Sequence, residues 1–308
     1  MKLPVTLVTG FLGSGKTTLI SSLLRHPATG ETAVIVNEIG EVGIDHHLLR
    51  RVDERTVLLR NGCLCCSLRG DLADELRDLL GRRERGEIPA FGRVVVETTG
   101  LADPAPIVYT LLSEPVVKHH FELACVVATV DAQHGLPRDE SVKQVAAADT
   151  IVVTKTDVAP RSGVAEGVAQ LNPAARVLSA SFGHVEPEVL FASGDHPREA
   201  TASGHFHGDV RAVTVVLDRA IDWTAFGLWL TMLLQARGSE IYRVKGLLDV
   251  GGAGPVLLNG VQHVVHPPVH LDAWPDEDRR SRLVFIGVGI EHGALHRSLE
   301  AFNLAARR

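Results

Sequence analysis

The chain has 308 residues, with 31 lysines and arginines against 37 aspartates and glutamates, which gives a formal net charge of −6 at pH 7. This balance argues against the basic surface by which proteins bind the phosphate backbone of nucleic acids. No stretch reaches the roughly 18 apolar residues that a membrane span needs, and the first residues, MKLPVTLVTG, lack the apolar core of a secretory signal. We therefore expect a cytoplasmic protein of one large or two moderate domains that binds neither nucleic acid nor membrane.

The first half of the chain alternates short apolar runs with helical patterns. The runs are LPVTLVTG, TAVIVNE, TVLLRNG, GRVVVETTG, LACVVATVDA and TIVVTKTD. They are too apolar for half-exposed antiparallel strands, so they predict strands buried on both faces of a parallel sheet. Between the third and fourth runs, Leu68, Leu72, Leu76 and Leu79/Leu80 recur at three- and four-residue intervals, which predicts one face of a helix. The pattern predicts a doubly wound α/β domain with a mainly parallel sheet.

The second half has a different pattern. After about residue 172 the regular alternation gives way to a stretch rich in proline, glycine, serine and histidine, which predicts a linker. An alternating run, DVRAVTVVLDR, then precedes a helical segment that ends at Gly238, and glycine-separated strands follow. We predict a first domain over residues 1–185, a linker over 186–208 and a smaller α+β domain over 209–308.

The segment GFLGSGKT, from Gly10 to Thr17, matches the eight-position phosphate loop. Its glycines allow backbone N–H groups to surround phosphate oxygens at a helix N-terminus. Lys16 is expected to neutralise the outer phosphates, and the hydroxyl of Thr17 to complete the coordination shell of a magnesium ion. The segment therefore predicts a nucleoside triphosphate site.

The segment VVVETTG is an apolar strand that ends in a carboxylate and is followed by a glycine. In phosphate-loop proteins such a strand normally delivers a carboxylate to magnesium, usually through water. We predict that role for Glu97 and expect the amide of Gly100 to face the γ-phosphate. The alternative is an exposed carboxylate at the end of a strand.

The segment TIVVTKTD places Thr154, Lys155 and Asp157 at the end of another strand. A carboxylate at this position accepts two hydrogen bonds from guanine N1–H and N2–H₂, whereas adenine would leave it unpaired. GTP is therefore favoured over ATP. The segment from Leu178 to Ser181 follows the next strand and is expected to add backbone contacts near the base.

The segment NGCLCCSLRG holds three of the four cysteines of the chain, Cys63, Cys65 and Cys66. It follows an apolar strand, so in a parallel sheet it should lie at the carboxyl edge, near the nucleotide. Thiolates select zinc, cobalt, nickel or cuprous copper. Three thiolates are one short of a closed tetrahedral site, and Glu38, Glu41, a nearby histidine or water could complete it. Cysteines that merely pack in the core, or a redox thiol pair, are the alternatives.

Five motifs together carry a family resemblance. GFLGSGKTTL, IVNEIGEVGID, NGCLCCS, ETTGLADP and TKTD, in this order, resemble the CobW-type metallochaperone GTPases, most closely their short bacterial, YjiA-like branch. YRVKGLL, LLNGVQ and RLVFIGV are similar to the C-terminal domain of that family. The resemblance implies a GTP hydrolase that binds a divalent transition metal, zinc or a cobalt-like ion, at its CxCC element and delivers it to a client metalloprotein through the C-terminal domain. It also allows for a homodimer that depends on nucleotide or metal.

The same resemblance implies roles for particular residues. Glu38 and Glu41 would belong to the first switch and, with Cys63, Cys65 and Cys66, to the metal site. Asp45 would belong to the magnesium or water-positioning shell. The residues implied to hold the phosphates and magnesium of GTP or GDP are Gly13, Ser14, Gly15, Lys16, Thr17 and Thr18. Many relatives carry a long histidine-rich tract, but here only His196, His205 and His207 remain, so we expect no large metal store.

Two other functions are compatible with these motifs. The first is a non-catalytic metal or thiol-redox sensor in which the nucleotide is a structural ligand. The second is a small-molecule kinase, although it lacks an evident arginine-rich lid and leaves the cysteines unexplained. No glutamine or arginine is marked by the sequence as a water-orienting residue or arginine finger, so intrinsic hydrolysis should be slow.

Overall fold

The structure is a computed structural model. It describes residues 2–37, 57–61, 70–160, 162–191, 205–206 and 210–306. The chain forms two compact units, one of residues 1–166 and 176–194 and the other of residues 167–175 and 195–308. Most of the predicted linker lies outside the described residues, so its bounds stay a prediction.

The first unit is built on a sheet of seven described strands. The strands are β1 (Leu3–Gly10), β2 (Thr32–Asn37), β3 (Val57–Asn61), β4 (Arg93–Glu97), β5 (Phe121–Asp131), β6 (Thr150–Thr154) and β7 (Arg176–Ser179). Their order is β3-β2-β4-β1-β5-β6-β7, and every pairing along this path is parallel. The predicted doubly wound α/β fold is confirmed.

Helices alternate with these strands along the chain. They are α1 (Lys16–Leu24), α2 (Gly70–Glu84), α3 (Pro104–Ser113), α4 (Pro115–His120), α5 (Asp139–Ala147), α6 (Ser162–Leu171) and α7 (Pro187–Leu190), with a 3₁₀ turn at Pro27–Thr29. Leu72, Leu76 and Leu79 of α2 are buried, as the spacing predicted, whereas Leu68 lies outside the described residues. The helix α3 begins where it does because the carboxylate of Asp103 accepts a hydrogen bond from the amide of Ala105.

Both faces of the sheet are buried. On one face, Val8 and Val127 join a core with Leu19 and Leu23 of α1. Alternate strand residues such as Leu7 point to the other face and are equally inaccessible. This explains why the strands read as continuous apolar runs instead of alternating ones.

The strand order brings the carboxyl ends of four adjacent strands, β3, β2, β4 and β1, to one edge of the sheet. Strands β2 and β4 are paired so that Val36 lies opposite Glu97. Strands β2 and β3 are paired so that Asn37 lies opposite Asn61. The ends of β2 and β3 therefore lie at the same edge as the end of β4, which in turn pairs with β1.

The second unit is a smaller α+β domain, as predicted. Its strands are β8 (His205–Phe206), β9 (Val210–Leu217), β10 (Ile241–Leu248), β11 (Val256–Val261), β12 (Val264–Val265), β13 (Val269–His270) and β14 (Ser281–Val288). They form an antiparallel sheet of order β12-β11-β10-β14-β9-β8, with β13 paired to β11. His205 thus lies on a strand, and His207 lies outside the described residues.

Two helices, α8 (Trp223–Arg237) and α9 (His292–Ala305), pack on the apolar face of this second sheet. Asp222 caps α8 by accepting from the amide of Ala225, and Gly238 follows its last turn as predicted. Trp229 fills the core and donates from its indole N–H to the hydroxyl of Ser298 on α9. Among the described residues, no helix is both long enough and apolar enough to cross a membrane.

Candidate functional site

The predicted phosphate loop joins β1 to α1. Gly10 and Gly15 have φ angles of 142° and 93°, which L-residues with side chains rarely adopt. A Cβ atom at Gly10 would also lie 2.3 Å from Oγ1 of Thr129, so a larger residue does not fit there. Gly15 precedes α1, and no described side chain caps this helix. The amides of its first turn therefore face the loop, where they can bind an anion.

Lys16 is held inside this loop. Its side chain is buried, and Nζ donates to the carbonyl oxygens of Gly10 at 2.9 Å and Phe11 at 3.2 Å. These contacts fix the ammonium group at the mouth of the loop. A cation held there can neutralise phosphate oxygens, which is the role predicted for it.

Thr17 and Glu97, the two residues predicted to hold magnesium, are in contact. Oγ1 of Thr17 donates to Oε1 of Glu97 at 2.8 Å, although the residues are 80 positions apart. Glu97 ends β4, is only 5% exposed and lies opposite Val8 of β1. A hydroxyl and a carboxylate oxygen are ligands that suit magnesium. The donor set therefore fits the ion, and its binding stays a prediction.

Hydrogen bonds from neighbouring strands anchor the phosphate loop. Oγ of Ser14 lies 2.6 Å from Oγ1 of Thr129 on β5, and Oγ1 of Thr154 on β6 donates to the carbonyl of Ser14 at 2.7 Å. The hydroxyl of Thr154 thus helps to hold the loop, and the nucleotide contact predicted for this residue stays a prediction. Thr129 was not predicted, although a polar residue near the end of an otherwise apolar strand was an available signal.

The loops after β6 and β7 meet where the base was predicted to bind. The hydroxyls of Thr156 and Ser181 lie 2.8 Å apart, and the carboxylate of Asp157 accepts from the amide of Phe182 at 3.3 Å. Asp157 is exposed, and Lys155 has a positive φ of 56°. The structure thus brings the predicted base-binding segments together. Asp157 presents a carboxylate edge that guanine could use.

Asp131, at the end of β5, is a residue that sequence reasoning missed. Its Oδ2 accepts from Nζ of Lys155 at 2.7 Å and lies 2.9 Å from Nδ1 of His134, and its Oδ1 accepts from the amide of Gln133. Burial alone would raise the pKa of Asp131, but the hydrogen bonds from Lys155, His134 and Gln133 outweigh it and lower the pKa to about 2. The carboxylate fixes the position of Lys155.

We expect Asp131→Asn to destabilise the protein by roughly 1–3 kcal/mol at pH 7, because it removes the charge of a buried carboxylate that accepts from the partly exposed Lys155. The pKa of Asp131 is lower in the folded state, about 2, than the ordinary value of 3.8. Its stabilisation is therefore complete above about pH 4 and is lost as the pH falls towards 2. Urea unfolding of the wild type and of Asp131→Asn at pH 6 and pH 3 measures the difference in unfolding free energy. Asp74→Asn, which removes an exposed ion pair with Arg77, is the control. A difference in unfolding free energy that is equal at both pH values would contradict the prediction.

Gly100, predicted to face the γ-phosphate, packs against the phosphate loop. A Cβ atom at this position would lie 2.5 Å from the amide nitrogen of Leu12. The backbone of Gly100 therefore lies closer to the loop than a residue with a side chain could. This places the segment that follows Glu97 next to the loop.

Gly13, with a φ of 71°, and the exposed Thr18 lie in the phosphate loop and the first turn of α1, whereas six other predicted site residues lie outside the described residues. They are Glu38, Glu41, Asp45, Cys63, Cys65 and Cys66. Within the part of the chain that the structure describes, there is no group of three or more histidine, cysteine, aspartate or glutamate side chains suited to a metal ion. The predicted transition-metal site stays a prediction.

Known proteins resemble this chain over most of its length. Residues 4–179 match the CobW/HypB/UreG nucleotide-binding domain, and residues 210–303 match the cobalamin synthesis protein cobW C-terminal domain. The chain is 36% identical to the zinc chaperone YjiA of Escherichia coli, over 92% of this chain and 93% of that protein. It is 28% identical to the zinc chaperone CobW of Pseudomonas aeruginosa, over 97% and 91%. The crystal structure of Zn(II)-bound YjiA GTPase from E. coli superposes with a TM-score of 0.77 at 29% identity, covering 98% of this chain and 99% of that one.

Proposed function

Because the chain belongs to the CobW/HypB/UreG family of phosphate-loop GTPases, we propose that it hydrolyses GTP slowly and delivers a divalent transition metal, zinc or a cobalt-like ion, to a client metalloprotein. The contact between Thr17 and Glu97 is the observation that carries the hydrolytic part of this proposal. It joins the phosphate loop to the strand end where a GTPase holds its magnesium ion.

Catalysis of GTP hydrolysis here depends mostly on positioning the phosphates and the attacking water and on neutralising the phosphate charge. The loop amides and Lys16 hold the phosphates, and the amide of Gly100 faces the γ-phosphate. Thr17 and Glu97 would hold magnesium, directly or through water, and the bound ion would neutralise charge on the β- and γ-phosphates. Asp45 would help to orient the attacking water. Because the sequence marks no arginine finger and no water-orienting glutamine, we expect turnover to be slow.

The metal part of the proposal is supported by the register of β3, β2 and β4. Glu38 follows Asn37 directly, and Cys63 is two residues beyond Asn61, which lies opposite Asn37. The neighbour of Asn37 on the same strand, Val36, lies opposite Glu97. The end of β3, which precedes the CxCC element in sequence, therefore lies at the same edge of the sheet as the proposed magnesium site, two strands away from Glu97. Cys63, Cys65 and Cys66, with Glu38 and Glu41, would bind the ion.

The client is proposed to dock on the C-terminal domain. Leu228 and Met232 lie one turn apart on α8 and are exposed, at 59% and 56%. Apolar side chains that share an exposed helix face suit contact with another protein. We place the protein in the cytoplasm, where its thiols would stay reduced, and a homodimer that forms with nucleotide or metal is compatible with the same function.

One experiment tests this function. Phosphate release from GTP and from ATP is measured with magnesium, with and without one equivalent of zinc or cobalt. We expect slow release that favours GTP and responds to the metal, because the two sites are coupled and nucleotide and metal change each other's affinity by the same factor. Release that is indifferent to metal would favour a sensor with a structural nucleotide. Phosphate transferred to an added acceptor would indicate a kinase.

A further inference from the structure

Gln144 on α5 connects that helix to the segment after β4. Its side chain is fully buried, and Nε2 donates to the carbonyl oxygens of Gly100 at 3.1 Å and Ala102 at 3.0 Å. The bonds span more than 40 positions of sequence, so they are tertiary contacts and do not belong to a local turn. Both N–H groups of the amide are thereby used on carbonyls that flank Leu101.

The opposite side of the same segment rests on the phosphate loop. Gly100 packs against the backbone of Leu12. Upstream, the amide of Thr98 donates to the carbonyl of Val8 on β1 at 2.9 Å. Residues 98–102 are therefore held between the phosphate loop and α5, with Gln144 as the contact on the α5 side.

The packing between the phosphate loop and α5 is incomplete. A cavity of about 240 Å³ lies between Phe11 and Leu12 of the loop and Ser141, Gln144 and Val145 of α5. Side chains that do not fill the space between two elements restrain them less than a close-packed interface would. The two hydrogen bonds of Gln144 therefore hold residues 98–102 to α5 beside a space that the loop and α5 leave unfilled.

We propose that Gln144 is a positioning residue that keeps Gly100 in register with the phosphate loop, so that the segment discriminates GTP from GDP and supports hydrolysis. This inference rests on the proposed function, because it assigns the γ-phosphate to the amide of Gly100. GDP has no γ-phosphate and makes no contact with that amide. Loss of the Gln144 bonds thus affects the triphosphate selectively.

Two substitutions of Gln144 distinguish the effect of its hydrogen-bond donors from the effect of its side-chain volume. Gln144→Met keeps a similar size but has no donor. Gln144→Glu, if burial keeps its carboxyl protonated, retains one O–H donor and should give an intermediate result. Ser141→Ala is the matched control, because Ser141 is buried one turn earlier on the same helix and its hydroxyl has no partner among the described residues.

The readouts are the dissociation constants of a non-hydrolysable GTP analogue and of GDP with magnesium, together with kcat and KM for GTP. For Gln144→Met we expect the preference for the GTP analogue over GDP, and kcat, to fall about tenfold, because small displacements of a positioning group reduce transition-state contact steeply. GDP affinity should stay within about twofold, and Ser141→Ala should resemble the wild type. Equal losses for GTP and GDP, or no loss, would overturn the proposal.

Amide hydrogen exchange in the wild-type protein tests the same idea without any substitution. Residues 98–102 should exchange more slowly with the GTP analogue than with GDP, and equal exchange would contradict the proposal even if a variant fails to fold. Wild-type protein that binds GTP without hydrolysing it would contradict the proposed function alone. The ratio of affinities would then still test Gln144.

Discussion

Lys16→Ala is expected to weaken GTP binding and to reduce hydrolysis by at least about 100-fold, the loss typical when a preorganised charge or donor is removed from a transferring group. The ammonium group is held by the carbonyls of Gly10 and Phe11, so it does not have to be ordered when nucleotide binds. Alanine removes the charge and the preorganisation together. Titration with a fluorescent GTP analogue measures binding, and phosphate release measures hydrolysis.

Lys118→Ala is the matched control for this substitution, because Lys118 is an exposed lysine on α4. Its loss changes the net charge of the protein equally but leaves the phosphate loop intact. We expect its GTP affinity and turnover to equal those of the wild type. If Lys16→Ala binds and hydrolyses GTP as Lys118→Ala does, the loop is not a nucleotide site.

The sequence predicted the parts of the site whose signals are local or topological. The loop from Gly10 to Thr17 has a fixed spacing, and its glycines are required by the backbone that they form. The meeting of Thr17 and Glu97 followed from the rule that carboxyl ends of parallel strands share one edge. Neither inference needed knowledge of side-chain packing.

The contacts that were missed depend on single polar side chains from distant elements. Gln144 lies in the helical segment DESVKQVAA. A glutamine at the border of the apolar face of an amphipathic helix would ordinarily be exposed to solvent. It is buried because the segment after β4 covers it, which no helical periodicity can indicate. The role of Asp131 likewise depends on its hydrogen bond with Lys155, 24 positions away. Such pairs are fixed by the strand order, and single-sequence patterns do not identify them.

Substitution of any one cysteine of the CxCC element is expected to have the second large effect. Cys65→Ser and Cys66→Ser should each lower zinc affinity by at least about 100-fold, since even loss of a residue that only supports a ligand costs 10- to 100-fold. A serine hydroxyl is a poorer ligand than a thiolate for a borderline ion. Competition with a zinc indicator dye, in the presence of GTP and magnesium, measures the affinity.

Cys125→Ser provides the matched control, because Cys125 is buried in β5 with Sγ 3.9 Å from the hydroxyl of Thr150 and lies outside the motif. Serine retains a group that can bond that hydroxyl, so zinc affinity should be unchanged. The variant that loses zinc affinity should also lose the response of GTP turnover to zinc. We therefore expect zinc to alter GTP turnover in the wild type and in Cys125→Ser but to have no effect in Cys65→Ser. Full zinc affinity and an intact response in Cys65→Ser and Cys66→Ser would place the ion elsewhere, and the CxCC element would then have a structural or redox role.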